Sequence, residues 1–349
     1  VDDIILGHNS KDLFDLFASR FCDPKNGGFN AKHIGLLYWF LGIAVDQSDS
    51  FVVSINQERY VLNMLDKFVP VKTNRIIRDH PRSEQFAKLV AATTDEQRAL
   101  VAHLPYMNLV GSLLYIAVMT RSDIAYHTSM LSKFMSCPTL EAYELAIGLL
   151  LYLAHNPKLP IVYDGSCEPP EARDKAGGNV LHKHANSIRK NGGFVAYSDS
   201  SWGNKVPYPM FGFSIYLFGG IVSFASKQLK VVAFSSCEAE YAASAYACKE
   251  ITFIRGICSD MGFVLHGELI LLVDNSASVD VAFNMGVTAR TKHFDICIHY
   301  FRDEVQKRRI IPIHISNEYQ RADGFTKGLD KTNFLKWIAL AYKLRRLHS

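Results

Sequence analysis

The chain has 349 residues, of which 48% are hydrophobic and 21% are charged, and its formal net charge is +4. This length is too great for one ordinary core and this composition excludes a disordered or fibrous protein, so we predict a globular protein of two or three domains. The small net charge neither requires nor excludes a polyanionic partner.

The amino-terminal part alternates short strand-like and helix-like runs. We predict a helix over residues 57–68 and strands over residues 1–6, 34–45 and 51–55. This alternation is typical of a small α+β unit, which we assign to residues 1–70.

The next region changes from polar to helical. Residues 71–96 are polar and basic without a sustained period, which indicates a connector. Apolar residues then recur at helical spacing over 106–154 and predict three packed helices. Residues 71–163 are therefore predicted to be mainly helical.

A break rich in Gly, Pro, Lys and Asn spans residues 164–192 and predicts a flexible linker. The following part, residues 193–330, predicts the element order βββαβαβα. Its strands are expected at 193–198, 213–218, 221–225, 269–273 and 309–315, and its helices begin at 236, 276, 295 and 323. Residues 331–349 are expected to form a helical tail.

Cysteine usage and apolar runs exclude two further classes. The seven cysteines are odd in number and lack Cys-x-x-Cys spacing, which argues against a disulfide framework and a zinc site. The longest apolar runs fall well short of the roughly 18 residues needed to span a bilayer, so no membrane partner is expected.

Two acidic residues end predicted strands that can lie side by side. Asp199 ends the strand at 193–198, and Asp274 ends the apolar run at 269–273. Both carboxylates can therefore meet at one edge of a sheet, where open α/β sheets place their functional sites. Carboxylates this close repel each other and need compensating cations, and Mg²⁺ prefers oxygen ligands of this kind. The pattern predicts a site for two Mg²⁺ ions, with Mn²⁺ as a substitute.

The helix between these strands offers two more acids, Glu238 and Glu240. Residues two apart on a helix point about 200° away from each other, so only one of them can face the metals. The face of Glu240 continues as an apolar stripe able to pack on a sheet, whereas the face of Glu238 is largely polar. We therefore predict Glu240, and the sequence leaves open whether Glu238 contributes.

Several strings resemble the copia-type LTR retrotransposon Pol polyprotein, in its carboxyl-terminal part. They are Tyr-Ser-Asp-Ser-Ser-Trp at 197–202, Ser-Lys-Gln at 226–228, Val-Asp-Asn at 273–275, Ala-Asp-Gly-Phe-Thr-Lys at 322–327, and residues 235–241 and 290–296. Residues 40–43, 57–60, 105–115 and 121–125 also resemble that family's reverse-transcriptase tail and connection. The resemblance covers nearly the whole chain.

The resemblance implies a multidomain α/β fold. Its carboxyl-terminal domain would have a ribonuclease H-like mixed five-stranded sheet with flanking helices, preceded by an α+β reverse-transcriptase palm remnant and a helical thumb or connection region. It implies that Asp199, Glu240, Asp274 and Asp323 are both catalytic residues and metal ligands. Asp323 opens the last short helix of that domain, and its assignment depends mostly on the resemblance.

The implied activity is metal-dependent endonucleolytic hydrolysis of the RNA strand of RNA/DNA hybrids, as part of a reverse transcriptase. The implied partners are an RNA/DNA hybrid and the remainder of the polyprotein, and the oligomeric state stays open. The implied localisation is a cytoplasmic virus-like particle, with a nuclear phase allowed. Substrate contacts are expected from Lys292, His293 and Asn275, since the backbone of a hybrid is polyanionic.

The first residues suggest a second metal site. By resemblance, Asp2 and Asp3 are what remains of the family's Tyr-x-Asp-Asp polymerase motif, whose aspartates bind magnesium. Without that context, an Asp-Asp pair is more often a surface turn. The preceding Tyr, the fingers and the earlier palm aspartate are not in the sequence, so we do not expect this chain to copy nucleic acid alone.

Other interpretations remain open at this point. Asp199 could be a turn residue, Glu238 and Glu240 a pair that favours the helix dipole, and Asp274 and Asp323 helix caps. The chain could also be a decayed, inactive fragment that only binds nucleic acid or assists assembly, because several positions, such as Ser122 and Cys237, depart from the family pattern. DNA strand transfer on the same fold is a third, less favoured alternative.

Overall fold

The structure is a computed structural model that describes residues 4–8, 10–48, 50–69, 77–202, 208–230, 233, 235–283 and 295–343. It is a mixed α/β protein with two β-sheets. Its helices are α1 (Lys11–Phe21), α2 (Glu58–Phe68), α3 (Ser83–Phe86), α4 (Asp95–Val101), α5 (Tyr106–Met119), α6 (Ala125–Ser132), α7 (Leu140–His155), α8 (Ala185–Lys190), α9 (Ser236–Asp260), α10 (Ser276–Phe283), α11 (Asp295–Gln306) and α12 (Lys331–Ala341).

The first sheet has four antiparallel strands in the order β1-β2-β3-β4. Their bounds are β1 (Trp39–Phe40), β2 (Ile43–Gln47), β3 (Val53–Asn56) and β4 (Ile161–Tyr163). β4 follows the helical region in sequence yet completes this sheet. The helical region is therefore an insertion between β3 and β4.

The second sheet has five strands in the order β7-β6-β5-β8-β9. Its strands are β5 (Val195–Ser201), β6 (Met210–Leu217), β7 (Gly220–Gln228), β8 (Leu269–Val273) and β9 (Ile310–His314). The pairs β5–β6 and β6–β7 are antiparallel, whereas β8 is parallel to both β5 and β9. The mixed five-stranded sheet expected for the carboxyl-terminal part is thus confirmed. The expected order needs correction, because two helices, α10 and α11, lie between β8 and β9, and the helix expected at residue 323 is a 3-10 turn, Asp323–Phe325.

Three expectations for the amino-terminal part need correction. Residues 4–6 of the expected first strand, the part of it that the structure describes, are not in a strand. The expected strand at 34–45 is a hairpin instead, because Leu41 and Gly42 adopt positive φ angles of 48° and 77° and reverse the chain between β1 and β2. Helix α1 was not expected; Ser10 caps its first turn and none of its residues is buried.

The helical region agrees with its sequence pattern. The three helices expected over 106–154 are α5, α6 and α7, and the helix expected over 57–68 is α2. The expected connector at 71–96 also contains the short helix α3 and the first turn of α4, because Thr94 and Gln97 form a reciprocal capping box. Residues 70–76 lie outside the described part.

The expected linker at 164–192 contains secondary structure. It carries helix α8, and the side chains of Leu181 and Ile188 are buried in the core. Asp174 organises the preceding loop, since its Oδ1 accepts hydrogen bonds from the amides of Ala176 (2.9 Å) and Gly178 (2.8 Å). The sparse apolar residues of this segment are therefore enough to anchor it.

One cluster of buried apolar side chains crosses the predicted domain boundaries. It includes Leu113 of α5, Leu149 of α7, Tyr197 of β5 and Trp337 of α12. The expected helical tail is therefore α12 in its first part, and it packs into this shared core. A second cluster lies between the five-stranded sheet and α9, where it surrounds the acidic site.

No single helix in the described ranges is long and apolar enough to cross a membrane. Helices α4 and α5 reach that length and composition only as a pair bent by 66°.

Candidate metal centre

The register of β5 and β8 places two acids side by side. Ala196 and Tyr197 of β5 pair with Leu271 and Leu272 of β8 in parallel. Two residues further along each strand come Asp199 and Asp274, so the pairing carries both carboxyl groups to the same level of the sheet. β8 is buried throughout, as the continuous apolar run predicted.

The long helix α9 supplies the third acid from its second turn. Ser235 caps the helix and accepts a hydrogen bond from the amide of Glu238. Glu240 is buried, and its Oε1 accepts hydrogen bonds from the amide (3.1 Å) and hydroxyl (3.0 Å) of Ser200. The helix-face argument for Glu240 thus agrees with the structure, because this side faces the sheet and continues with the buried Ala243 and Ala247.

The three carboxyl groups converge. One oxygen each of Asp199, Glu240 and Asp274 lies within 4.8 Å of the others. Oε2 of Glu240 is buried and has no hydrogen-bond partner among the described residues. A buried acceptor without a donor costs free energy, so this oxygen is available as a ligand atom for a cation.

The electrostatics follow from burial and like charge. Burial raises the pKa of Asp199 well above its usual range, and the charge of Asp323 adds to the effect. Burial also raises the pKa of Glu240 well above its usual range, reinforced by Asp199. The pKa of Asp274 is raised by burial, although Lys327 partly opposes this. The group is therefore short of positive charge.

The fourth acid, Asp323, opens a 3-10 turn, Asp323–Phe325, beside the group. Lys327 lies 2.8 Å from Asp323, measured from Nζ to Oδ1. Thr326 donates its hydroxyl hydrogen to Oδ2 of Asp199. The turn therefore delivers a hydroxyl group and an ammonium group to the acids along with its own carboxylate.

The absence of a side chain at Gly212 lets this turn approach. Gly212 pairs with Asp199 across β5 and β6, and a Cβ atom there would collide with Phe325 and Thr326. Gln320 fixes the turn from the other side, because its Nε2 donates to the carbonyl of Ser198 over 2.9 Å. The position of Thr326 beside Asp199 depends on both contacts.

The pKa of Lys327, which follows the 3-10 turn, depends on the neighbouring acids. Burial alone would lower the pKa of Lys327, but the charges of Asp199 and Asp323 outweigh it, and the pKa is raised. Burial raises the pKa of Asp323, and Lys327 opposes that shift. Lys327 therefore remains a cation beside the acids.

Two structural alternatives are wrong for the described residues. Asp199 belongs to β5 and is not a turn residue. Asp274 is not the cap of α10, because the side-chain oxygen of Asn275 accepts the hydrogen bond from the amide of Ser278 over 3.0 Å. This oxygen of Asn275 is therefore engaged in capping α10. The substrate contact predicted for Asn275 stays a prediction.

Four other predicted residues lie outside the described part of the chain. They are Asp2 and Asp3 of the expected polymerase remnant, and Lys292 and His293 of the expected substrate surface.

Sequence analysis missed the residues that hold the acids. Ser200, Gln320, Thr326 and Lys327 were within or next to the quoted strings, yet none was assigned a role. One signal was available, because Asp323 and Lys327 are four residues apart with the acid first, the favourable order for an ion pair on a helix. The contacts of Ser200, Gln320 and Thr326 join segments that are distant in sequence, and no spacing in the sequence indicates them.

The donor set fits a hard divalent cation. The converging side chains offer carboxylate oxygens only, whereas zinc and copper sites use His or Cys ligands. An acidic cluster with an unpartnered buried oxygen fits a divalent metal, and this chemistry does not distinguish Mg²⁺ from Mn²⁺.

Comparisons with known proteins add the following. No protein-family model matches the chain. It is 30% identical over 336 residues to the retrovirus-related Pol polyprotein from transposon RE1 of Arabidopsis thaliana, and 28% identical over 336 residues to that from transposon TNT 1-94 of Nicotiana tabacum. Both alignments cover 96% of this chain, which spans only 20% and 23% of those relatives.

Among solved structures, the chain is similar to that of LC11-RNase H1, isolated from compost, in complex with an RNA/DNA hybrid. The sequence identity is 16% and the TM-score is 0.30, over 38% of this chain and 93% of that one.

Proposed function

Since the chain is related along nearly its whole length to the copia-type retrovirus-related Pol polyproteins of plant transposons, we propose that its acidic site hydrolyses the RNA strand of RNA/DNA hybrids. The observation that carries this proposal is the convergence of Asp199, Glu240 and Asp274, with Oε2 of Glu240 left without a partner among the described residues. Asp323 completes the set as the fourth acid.

Each acid has a part in this proposal. Asp199, Glu240 and Asp274 would hold the divalent cations, and Asp323 would join them from the rim. The chemistry that such cations supply is activation of a water molecule and stabilisation of the leaving 3′ oxygen. The products would be 3′-hydroxyl and 5′-phosphate ends.

The neighbouring side chains keep the ligand atoms in place. Ser200 holds Oε1 of Glu240 with two hydrogen bonds, and Oε2 has no hydrogen-bond partner among the described residues. Thr326 holds Oδ2 of Asp199. Preorganised ligands reduce the cost of ordering the site when cations and substrate bind.

The wider polyprotein supplies the remaining proposals. We infer that the RNA/DNA hybrid and the remainder of the polyprotein are partners, and that the site works in a cytoplasmic virus-like particle. Asp2 and Asp3 are proposed as part of a polymerase metal site of the longer protein. We propose no polymerase activity for this chain by itself.

The test is cleavage of a labelled RNA/DNA hybrid by the full 349-residue chain with Mg²⁺, compared with double-stranded DNA and with EDTA. We expect cutting of the RNA strand only, and we expect Asp199→Asn to reduce the rate at least about a hundredfold, since metal ligands supply several kcal/mol of transition-state stabilisation. Asp303→Asn is the matched control, because Asp303 forms an exposed ion pair with Lys307 on α11.

The outcomes separate the alternatives. Equal cutting by the wild type and Asp199→Asn would show that the site is wrongly assigned. Binding of the hybrid without Mg²⁺-dependent cutting would instead favour the inactive fragment that only binds nucleic acid.

A further inference from the structure

A lysine occupies the place beside the acids where a cation is expected. Nζ of Lys327 lies 2.8 Å from Oδ1 of Asp323, and the Lys327 side chain is 36% exposed compared with 16% for Asp323. The ammonium group also acts electrostatically on Asp199 and Asp274. One positive charge therefore acts on three of the four acids.

The geometry of the acids divides them into three and one. Oxygens of Asp199, Glu240 and Asp274 lie within 4.8 Å of one another, and Asp323 is not a member of that group. Asp323 lies beside Asp199 and also forms an ion pair with Lys327. The ion pair thus involves the one acid that does not belong to the group of three.

Lys327 has space into which its side chain can move. Asp323 and Lys327 line a cleft of about 970 Å³, together with residues of the 3-10 turn Asn317–Tyr319 and of α12. The cleft is partly lined by acids, among them Glu318 and Asp330. A lysine side chain on a flexible four-carbon stem can change between these positions.

We propose that Lys327 is a positioning residue that holds the place of a second divalent cation. This inference rests on the proposed metal site. The site takes its first cation through Asp199, Glu240 and Asp274, and it takes Asp323 as a ligand only after Lys327 turns into the cleft. Lys327 thereby keeps the fourth acid in position and weakens the second metal-binding step.

The test counts bound Mn²⁺ by its electron paramagnetic resonance signal and measures each dissociation constant in the full chain without nucleic acid. The wild type should bind one Mn²⁺ tightly and a second weakly. In Lys327→Met the second dissociation constant should fall at least about tenfold, because a unit charge a few ångströms away contributes more than this at an effective dielectric constant of about 20. Lys327→Arg, which keeps the charge, should bind as the wild type does.

The control is Lys331→Met. Lys331 is also paired with an aspartate, Asp79, at 2.6 Å, but it is outside the acidic site. The Lys331→Met variant should leave both Mn²⁺ dissociation constants unchanged.

Three outcomes would overturn the inference. They are unchanged Mn²⁺ binding by a folded Lys327→Met, equal tightening by Lys327→Arg, and equal tightening by the control. If Lys327→Met does not fold in EDTA, the inference requires that Mn²⁺ restores folding, so failure of that rescue also overturns it.

Failure of the proposed metal site would look different. Asp199→Asn should lose the tight Mn²⁺. If Asp199→Asn keeps it, the site itself is wrongly assigned; if Asp199→Asn loses it while Lys327→Met binds like the wild type, only the role of Lys327 is wrong.

Discussion

Two buried acidic sites in this molecule have opposite electrostatic character. At the first, between α5 and α6, Asp123 is fully buried and accepts two hydrogen bonds from Arg121, at 2.9 and 2.8 Å. It also accepts hydrogen bonds from the hydroxyl groups of Tyr152 (2.6 Å) and Tyr342 (3.1 Å). Burial alone would raise the pKa of Asp123, but Arg121 outweighs it, and the pKa is lowered.

At the second site the buried acids face one another. Burial and neighbouring carboxylates raise the pKa values of Asp199 and Glu240 well above their usual range. Lys327 compensates this only in part. Both sites therefore bury carboxyl groups, but the pKa is lowered at the first site and raised at the second.

The difference separates a structural site from a candidate functional one. At Asp123 the charges cancel within the protein, and the site fastens Tyr342, just beyond α12, to the helical region. At Asp199 the charges are left for a ligand from outside. Strongly perturbed carboxylates without internal compensation are typical of functional sites, because their free-energy cost is recovered when the ligand binds.

The largest expected effect is loss of the Asp123 ion pair. Arg121→Met leaves a buried carboxylate without its counter-ion, so the free energy of unfolding should fall by about 3–5 kcal/mol. The measurement is urea unfolding in EDTA. Arg98→Met is the control, because Arg98 pairs with the exposed Asp95, and such pairs contribute about 0–1 kcal/mol. An equal loss of unfolding free energy in Arg121→Met and Arg98→Met would contradict the structural role of the buried ion pair.

Neutralisation at the second site should have the opposite sign. Asp199→Asn removes a charge that burial and the neighbouring carboxylates disfavour, so the free energy of unfolding of the metal-free chain should rise. Asp123→Asn should destabilise the chain under the same conditions. Urea unfolding of both variants in EDTA tests this, and a loss of stability in Asp199→Asn would show that its charge is already compensated.

The pH dependence should sharpen the comparison. The pKa of Asp123 is lowered in the fold, so its stabilisation is present above the unfolded value of about 4 and is lost only as the pH falls below it. The pKa of Asp199 is raised, so its penalty is absent below about 4 and grows as the pH rises through the folded value.

The measurement is the unfolding free energy of Asp123→Asn and Asp199→Asn relative to wild type, in EDTA, from pH 3 to pH 8. The two differences should have opposite signs at high pH. Asp199→Asn should approach wild type first on acidification, while Asp123→Asn still differs. Curves of equal sign would contradict the assigned directions.

The smallest expected effect is at the end of the chain. Tyr342→Phe removes the hydroxyl group that accepts from Ser122 (3.0 Å) and donates to Asp123, and it should cost about 1–2 kcal/mol. Tyr38→Phe, at a side chain that is 67% exposed, should change stability by no more than about 0.5 kcal/mol. No loss in Tyr342→Phe would mean that the hydroxyl group of Tyr342 does not help to hold the end of α12.

The sequence predicted those parts of the molecule that depend on local pattern. The apolar run of β8 and the helical period of α9 were sufficient to place Asp274 and to choose Glu240 over Glu238. The strand that carries Asp199 was also predicted, because its apolar start directly follows the glycine pair at 192–193. In each case a short segment contains its own signal.

The parts that were missed depend on contacts between distant segments. β4 joins a sheet whose other strands are more than 100 residues away, and Tyr342 reaches Asp123 across 219 residues. Gln320 and Thr326 reach β5 only because Gly212 leaves room for the turn. Residue periodicity carries no information about contacts between distant segments. Arg121 and Asp123 were therefore noted only for their resemblance to the family, and their burial and ion pair were not predicted.

The most direct test of the central claim, that the Asp199 site binds a divalent metal, is unfolding with and without Mg²⁺. The wild type should gain about 2.7 kcal/mol at a Mg²⁺ concentration of about 100 times the dissociation constant. Asp123→Asn should be less stable but should gain equally, whereas Asp199→Asn should gain nothing. An equal gain in Asp199→Asn and the wild type, or no gain in the wild type, would contradict the claim.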